Sequence, residues 1–210
     1  LEQSRPPAPG GTFAGRFELI ALLGRGGMGE VWWARDRTLG RQAALKLFPR
    51  EDLSERARER IRREVAVARD LSHPGLVRYY DIHEDAGRLG LSMERVEGES
   101  LQTVLDRDGP LPEERVRGVR AALAAALAHL HGHGIVHRDV KPSNLLLNLD
   151  GRVYLADLGL VRGLDEQARL TRTEMVVGTP VYMSPEQIRA GRLTPASDLY
   201  SLGVTVFQLL

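Results

Sequence analysis

Residues 135–147 read IVHRDVKPSNLLL, an apolar run that is interrupted by charged and polar side chains. A solvated loop fits this pattern poorly, because the apolar residues on both sides predict a buried location. Buried charges need partners or a ligand, since leaving them unpaired costs several kcal/mol. Asp139, Lys141 and Asn144 are therefore candidates for a base, a phosphate contact and a metal ligand on one short loop.

The predicted secondary structure changes character along the chain. From Phe17 to about Arg95, short apolar stretches predict strands, interrupted by one helix with Ser54 as its N-cap. After about Gly98 the apolar spacing becomes helical, and Asp150 with Gly151 predicts a hairpin turn shortly after residues 135–147. We therefore predict an α+β fold with a strand-rich lobe, a helical lobe and a cleft between them.

Composition narrows the function classes. The chain has 210 residues with 29 basic and 28 acidic side chains, a balance that argues against nucleic acid as a partner. It has no cysteine, which excludes disulfides and thiolate metal sites and fits a cytoplasmic protein. No apolar run approaches the roughly 20 residues of a membrane-spanning helix. A membrane anchor beyond residue 210 remains an open alternative, because the chain stops inside an apolar run. We expect the chain to be part of a longer protein and to be unstable alone.

Two motifs in the strand-rich half point to a nucleotide. Gly24, Gly26 and Gly29 form G-x-G-x-x-G followed by a strand rather than a helix, which favours a hairpin over phosphates instead of a dinucleotide fold. A plain glycine-rich turn is the alternative. Lys46 lies on an apolar strand, where it either points to solvent or pairs with Glu64 at the edge of the helix's apolar face.

Metal binding is predicted at one place, and a weaker hypothesis concerns a second. Asn144 and Asp157 lie at the two ends of the predicted hairpin and could converge on Mg²⁺, which prefers oxygen ligands. A zinc hypothesis is weaker, because glycines interrupt the helix and no cysteine completes a site. It concerns four histidines: His129, His131, His133 and His137.

Taken in order, these motifs resemble the eukaryotic-type protein kinase family, most closely its bacterial serine/threonine members. The resemblance runs from about Phe17 to the end and includes Asp157-Leu158-Gly159 and Ser184-Pro185-Glu186. It implies a small N-terminal antiparallel sheet with one main helix over residues 16–96, and a mainly helical, incomplete lobe over residues 97–210. Residues 1–15, rich in Pro and Gly, are predicted to be a linker or tail.

The resemblance also implies an activity, the transfer of the ATP γ-phosphoryl group to Ser/Thr hydroxyls of proteins. Lys46, paired with Glu64, would orient the α- and β-phosphates, and Asn144 and Asp157 would hold Mg²⁺ or Mn²⁺. Asp139 would accept the hydrogen bond of the substrate hydroxyl, and Lys141 marks the serine/threonine class. The remaining expected ATP contacts are Leu23, Gly24, Arg25, Gly26, Gly27, Met28, Gly29, Glu30, Val31, Ala44, Met93, Glu94, Val96 and Leu146.

Regulation is implied by Arg138, which precedes Asp139 and could pair with a phosphate on a later loop. Thr171 and Thr173 are the candidate phosphorylation sites, with solvated threonines as the alternative, and Thr179 would support the catalytic site. Self-association for autophosphorylation is a further expectation.

The chain departs from the family pattern at three places. Leu158 replaces a Phe, Ser184 replaces an Ala, and Glu186 is expected to lack the Arg with which the family pairs it. Two other functions remain open at this point. One is a pseudokinase or scaffold that binds nucleotide without transfer, and the other is a small-molecule kinase.

Overall fold

The computed structural model describes residues 7–26, 29–49, 54–159 and 180–210. The chain divides into two compact units, the first from Leu1–Leu71 and Arg78–Arg95, the second from Ser72–Val77 and Val96–Leu210. Ser72–Val77 joins the second unit through backbone bonds. Leu155 donates to the Gly75 carbonyl at 2.8 Å and accepts from the Val77 amide at 3.1 Å.

The first unit is an antiparallel sheet with one helix. Its strands are β1 (Thr12–Phe13), β2 (Phe17–Gly26), β3 (Gly29–Asp36), β4 (Arg41–Leu47), β5 (Tyr79–Asp85) and β6 (Arg88–Met93). They lie in the order β1-β2-β3-β4-β6-β5. Helix α1 (Glu55–Ala68) begins at Ser54, whose hydroxyl accepts the Ala57 amide, so the predicted N-cap is confirmed.

Strand β1 lies within the stretch that composition assigns to a linker or tail. Phe13 pairs with Phe17 across the β1–β2 turn, and its side chain is buried in one core cluster with Leu19, Trp32 and Leu45. Burial of the Phe13 ring therefore ties this segment to the sheet, although Pro and Gly residues surround it.

A partly buried ion pair ties the β1–β2 turn to the end of β3. Asp36 accepts from Arg16 Nε at 2.8 Å and Nη2 at 2.7 Å, and also from the Thr38 and Leu39 amides. The Arg16 hydrogen bond is the main reason why the pKa of Asp36 lies below its usual value.

The second unit is mainly helical, with one small sheet. Its elements are β7 (Gly98–Ser100), α2 (Leu101–Asp108), α3 (Glu113–Gly132), β8 (Leu145–Asn148), β9 (Val153–Leu155), α4 (Pro185–Ile188) and α5 (Pro195–Leu209). Strands β7, β8 and β9 form an antiparallel sheet, with Asp150 and Gly151 in the predicted β8–β9 turn. Helix α3 buries an apolar stripe that continues from Val116 to Leu130. Within the described residues, no helix is long and apolar enough to cross a membrane.

Candidate active site

The polar loop within residues 135–147 follows α3 in the second unit and is buried, as its apolar flanks predict. Asp139 is 6% exposed, and its Oδ2 lies 3.1 Å from the Lys141 ammonium. Asn144 closes the loop, because its side-chain amide donates to the Asp139 carbonyl at 2.7 Å. One carboxylate, one ammonium and one amide are thus held together within six residues of chain.

Asp198 on α5 fixes the backbone of this loop. Its two carboxylate oxygens accept the His137 amide at 2.7 Å and the Arg138 amide at 2.8 Å, and Oδ2 also lies 2.8 Å from His131 Nε2. Asp198 is fully buried, so these bonds form away from water. The sequence prediction missed Asp198; the available signal was a carboxylate at helical spacing from Ser201, Leu202 and Thr205, on the buried face of α5.

Two further contacts hold the same loop. Gln187 on α4 donates from its side chain to the Arg138 carbonyl at 2.8 Å, and Thr205 on α5 donates to the Val140 carbonyl at 3.4 Å. Arg138 has a φ of +69°, a left-handed conformation that costs a non-glycine residue roughly 1–3 kcal/mol. The contacts from α4 and α5 offset that strain, so the loop conformation depends on helices far along the chain.

His137 is the buried centre of the loop. Its Nδ1 accepts the Asp139 amide at 3.3 Å, and its Nε2 lies 3.1 Å from the Ala156 carbonyl. This pattern fits a neutral ring with the proton on Nε2. Burial lowers the pKa of His137, although Asp198 and Asp139 act in the opposite direction.

Asn144 and Asp157 flank the β8–β9 hairpin, as predicted. Leu145 pairs with Leu155 in the register, and the Ala156 amide donates to the Asn144 carbonyl at 2.8 Å. The hairpin therefore brings an amide oxygen and a carboxylate to one end of the small sheet. Such oxygen donors suit Mg²⁺, which is usually held by one or two protein ligands together with phosphates and waters.

The segment after β9 is tightly packed against the loop. Asp157 has a φ of +61°, and the Gly159 amide donates to the His137 carbonyl at 3.0 Å. A β-carbon at Gly159 would lie 2.8 Å from that carbonyl oxygen, so this position accepts only glycine without rearrangement. Leu158, which replaces the family's Phe, is 7% exposed and therefore keeps an apolar packing role.

In the first unit, Lys46 lies on β4 and is 5% exposed, so the solvent-facing alternative is excluded. Its ammonium lies 5.9 Å above the ring of Phe48. Glu64 lies on α1, where its carboxylate accepts from Arg60 Nε at 2.9 Å. The Lys46–Glu64 ion pair stays a prediction.

The described part of the glycine-rich loop is a β2–β3 hairpin rather than a turn into a helix. Gly24 pairs with Val31, and Gly26 pairs with Gly29, which has a φ of +118°. A β-carbon at Gly29 would lie 2.1 Å from the Leu47 carbonyl oxygen, so the β3 backbone approaches β4 closely at this point. The hairpin shape predicted from the sequence is therefore observed.

A side-chain hydrogen bond of Glu30 connects the two strands of this hairpin. Glu30 accepts from Arg25 at 2.7 Å and from the Trp32 indole at 3.1 Å. Leu23, also an expected ATP contact, is exposed on β2.

The other expected ATP contacts are distributed over both units. Ala44 on β4 pairs with Met93 at the end of β6, and both are buried. The Glu94 amide donates to the Arg78 carbonyl at 2.8 Å. Val96 and Leu146 belong to the second unit, where Leu146 pairs with Tyr154. The ATP-binding role of all of these residues stays a prediction.

The zinc hypothesis for the histidines is wrong for the described residues, which contain no group of three or more ligand side chains suited to a metal ion. His131 faces Asp198, and His137 binds the Ala156 carbonyl. The rings of His129 and His133 contact each other in a tilted arrangement, with centroids 4.6 Å apart and planes at 48°.

Glu186 has a hydrogen-bond partner within the described residues, and the expectation that it lacks the family's Arg stays a prediction. The Ser197 hydroxyl donates to it, and this bond is the main reason why the pKa of Glu186 lies below its usual value. Ser184, the replacement for Ala, caps α4 by accepting the Gln187 amide. The substitution thus contributes an N-cap that alanine lacks.

Five sequence-predicted residues lie outside the described part of the chain. They are Gly27, Met28, Thr171, Thr173 and Thr179.

Comparison with known proteins identifies the class. Residues 17–210 match the family model described as the protein kinase domain. A solved structure, the crystal structure of Rad53 1-466 in complex with AMP-PNP, is similar with a TM-score of 0.75 and 29% identity. That likeness covers 93% of this chain and 48% of the Rad53 chain. The chain therefore belongs to the protein kinase family.

Among curated proteins, three similar relatives are bacterial serine/threonine kinases. The DNA damage-responsive serine/threonine-protein kinase RqkA of Deinococcus radiodurans is 42% identical over 97% of this chain and 31% of its own length. PrkC of Bacillus subtilis is 37% identical over 96% of this chain and 31% of its own length. PknA of Mycobacterium tuberculosis is 40% identical over 96% of this chain and 48% of its own length. The chain thus spans between 31% and 48% of the length of these relatives.

Proposed function

We propose that this chain is the catalytic part of a serine/threonine protein kinase, which transfers the γ-phosphoryl group of ATP to protein hydroxyls. The observation that carries the proposal is the cluster of Asp139, Lys141 and Asn144 on one buried loop. Asp157 follows at the other end of the adjoining hairpin. These are the groups that phosphoryl transfer needs for orienting a nucleophile, balancing charge and holding a metal ion.

Asp139 acts on the nucleophile. Its carboxylate accepts a hydrogen bond from the substrate hydroxyl and orients the oxygen towards the phosphorus. The backbone that carries Asp139 is held by Asp198 and Gln187, so little reorganisation is needed when substrate binds. Positioned acid–base groups typically contribute about 10²–10⁴-fold in rate.

Lys141 and Lys46 supply positive charge to phosphate oxygens. The Lys141 ammonium lies 3.1 Å from the Asp139 carboxylate. It is therefore near the nucleophile that Asp139 orients, where it can stabilise negative charge on the phosphate oxygens. Lys46 is desolvated on β4, and an ammonium in such surroundings interacts more strongly with phosphate than one in water. Glu64 would hold it in place.

Asn144 and Asp157 would hold Mg²⁺. When bound, the ion would supply positive charge that offsets the negative charge developing on the transferred phosphoryl group. Asn144 is suited to the role because its nitrogen is engaged by the Asp139 carbonyl, which aims its oxygen away from that contact.

Phosphorylation of Thr171 or Thr173, paired by Arg138, is the regulation that we propose for this site. The position of Arg138 supports the proposal, because it directly precedes Asp139 and its backbone amide donates to Asp198. Phosphopeptide mapping after incubation with Mg-ATP, combined with Thr171→Ala and Thr173→Ala variants, tests it. Unchanged activity in the double variant would reject it.

The experiment for the activity is transfer of labelled phosphate from Mg-ATP to protein substrates and to the enzyme itself. We expect transfer by the full protein, and loss of about 10²-fold or more in Asp139→Asn and Lys46→Met. Asp139→Asn should still bind ATP. If the wild-type protein binds ATP but transfers phosphate to no substrate, the nucleotide-binding scaffold is the correct function.

A further inference from the structure

A groove of about 760 Å³ lies in the second unit, away from the residues assigned to catalysis. It runs between the first half of α3, the loop of residues 73–75 and the β8–β9 turn. Its floor is apolar and is formed by Pro74, Gly118, Val119, Ala122, Ala125 and Val153. The volume is in the range of ligand-binding clefts in proteins. We call this feature the α3 groove.

Gly118 marks where an occupant would approach α3 most closely. A β-carbon built on Gly118 would meet no atom within 4 Å, and its φ is not positive. The packing and the backbone of the fold therefore do not require glycine, although glycine within a helix costs about 1 kcal/mol relative to alanine. A surface that leaves the helix backbone bare suits close approach by another molecule.

The charged residues of the α3 groove are exposed and predominantly basic. Arg115 and Arg152 line it, and neither guanidinium makes an ion pair with any residue that the structure describes. Glu114 is its single acidic lining residue. His73 is neutral near pH 7, because its Nδ1 accepts the Gly75 amide at 3.0 Å and burial lowers its pKa. The net charge offered to an occupant is therefore positive.

This arrangement suits a peptide better than a small molecule. Small-molecule sites orient their ligands with a few placed polar groups inside the pocket. In the α3 groove, the charged side chains are exposed and the floor is apolar, which corresponds to the apolar centre and polar rim of a protein interface.

We propose that the α3 groove docks a short segment of a partner protein, with an apolar side chain over Gly118 and carboxylates facing Arg115 and Arg152. The inference concerns binding and holds whether or not the protein transfers phosphate. Small residues on the floor leave room for the apolar side chain. The guanidiniums of Arg115 and Arg152, which form no ion pair with the described part of the chain, select acidic neighbours over basic ones.

The test is selection from a random library of displayed 12-residue peptides on the immobilised full protein, followed by fluorescence anisotropy of the selected peptides. We expect enrichment of Asp and Glu next to apolar residues. Gly118→Trp, which fills the α3 groove, should weaken binding tenfold or more, while the matched Gly118→Ala variant keeps it. Arg115→Glu with Arg152→Glu should weaken it similarly, and Arg120→Glu, an exposed change on α3 outside the lining, should not.

Three results would overturn the proposal. One is a library that yields no peptide sensitive to Gly118→Trp. Another is enrichment of basic instead of acidic residues. The third is a self-associating wild-type protein that Gly118→Trp makes monomeric, since the occupant is then a second copy of this chain. Urea unfolding of Gly118→Trp shows whether the variant is folded; if it is not, the Arg115 and Arg152 variants decide the outcome.

Discussion

Replacing Asp198 by Asn is expected to damage the loop that carries Asp139 without removing any group that touches substrate. The carboxylate of Asp198 accepts the amides of His137 and Arg138 and faces His131. An amide side chain has one acceptor oxygen, so at least one of these buried donors loses its partner and faces an NH₂ group.

The magnitude follows from those contacts. A hydrogen bond to a charged group contributes about 1.5–3 kcal/mol, and a buried donor without a partner costs about 1–3 kcal/mol. We therefore expect Asp198→Asn to destabilise the ordered loop by about 3 kcal/mol. Since 1.4 kcal/mol corresponds to roughly a tenfold change in an equilibrium, the ordered loop should become about 10²-fold less populated relative to its open forms.

Three measurements check this prediction: the initial rate of phosphate transfer from Mg-ATP, the urea midpoint, and hydrogen exchange at the His137 and Arg138 amides. Asp150→Asn is the matched control, because it makes the same chemical change at an exposed position in the β8–β9 turn. Near wild-type transfer by Asp198→Asn, with both amides still protected, would refute the positioning role.

Three other perturbations have expected outcomes. Gly159→Ala brings a β-carbon to 2.8 Å from the His137 carbonyl, so we expect overpacking of about 1–3 kcal/mol and transfer reduced roughly 5–100-fold, measured by initial rates. Burial lowers the pKa of His137, so as the pH falls below about 6.5 the unfolded chain takes up that proton before the folded chain does. The free energy of unfolding should therefore decrease as the pH falls, by at most about 1.4 kcal/mol per pH unit from this group. Urea titrations between pH 7 and 5 measure this slope, and a His137→Gln variant with the same slope would contradict it. Asp36→Asn leaves Arg16 without its carboxylate and should lower the free energy of unfolding by about 2 kcal/mol, measured by urea unfolding. This is less than the usual loss for a buried pair, because Arg16 is 32% exposed. The control is Glu18→Gln in an exposed pair, which should change the urea midpoint far less.

Features encoded by neighbouring residues could be predicted from the sequence. The N-cap at Ser54, the turn at Asp150 and Gly151, and the buried stripe of α3 each depend on side chains within a few positions. The loop around Asp139 was found for a related reason, because its charges interrupt an apolar run. For these features, local propensity and tertiary structure agree.

Features that depend on distant contacts were missed. Asp198 looks like an ordinary polar residue near the start of a helix, and only the packing of α5 brings it to Arg138, 60 positions earlier. Phe13 was placed in a tail because the surrounding Pro and Gly masked one buried ring. In both cases the deciding energy comes from a partner that no short window of sequence contains.

The hydrogen bonds from the His137 and Arg138 amides to Asp198 also determine when the loop can become ordered during synthesis. Ribosomes add about 5–20 residues per second, so the 60 residues between Arg138 and Asp198 take roughly 3–12 s to synthesise. Throughout that interval the two amides of the nascent loop bond to water instead of to Asp198, and no contact from α5 offsets the strain of a left-handed Arg138. The groups proposed for catalysis are therefore made early and ordered late, after α5 has been synthesised and has packed against them.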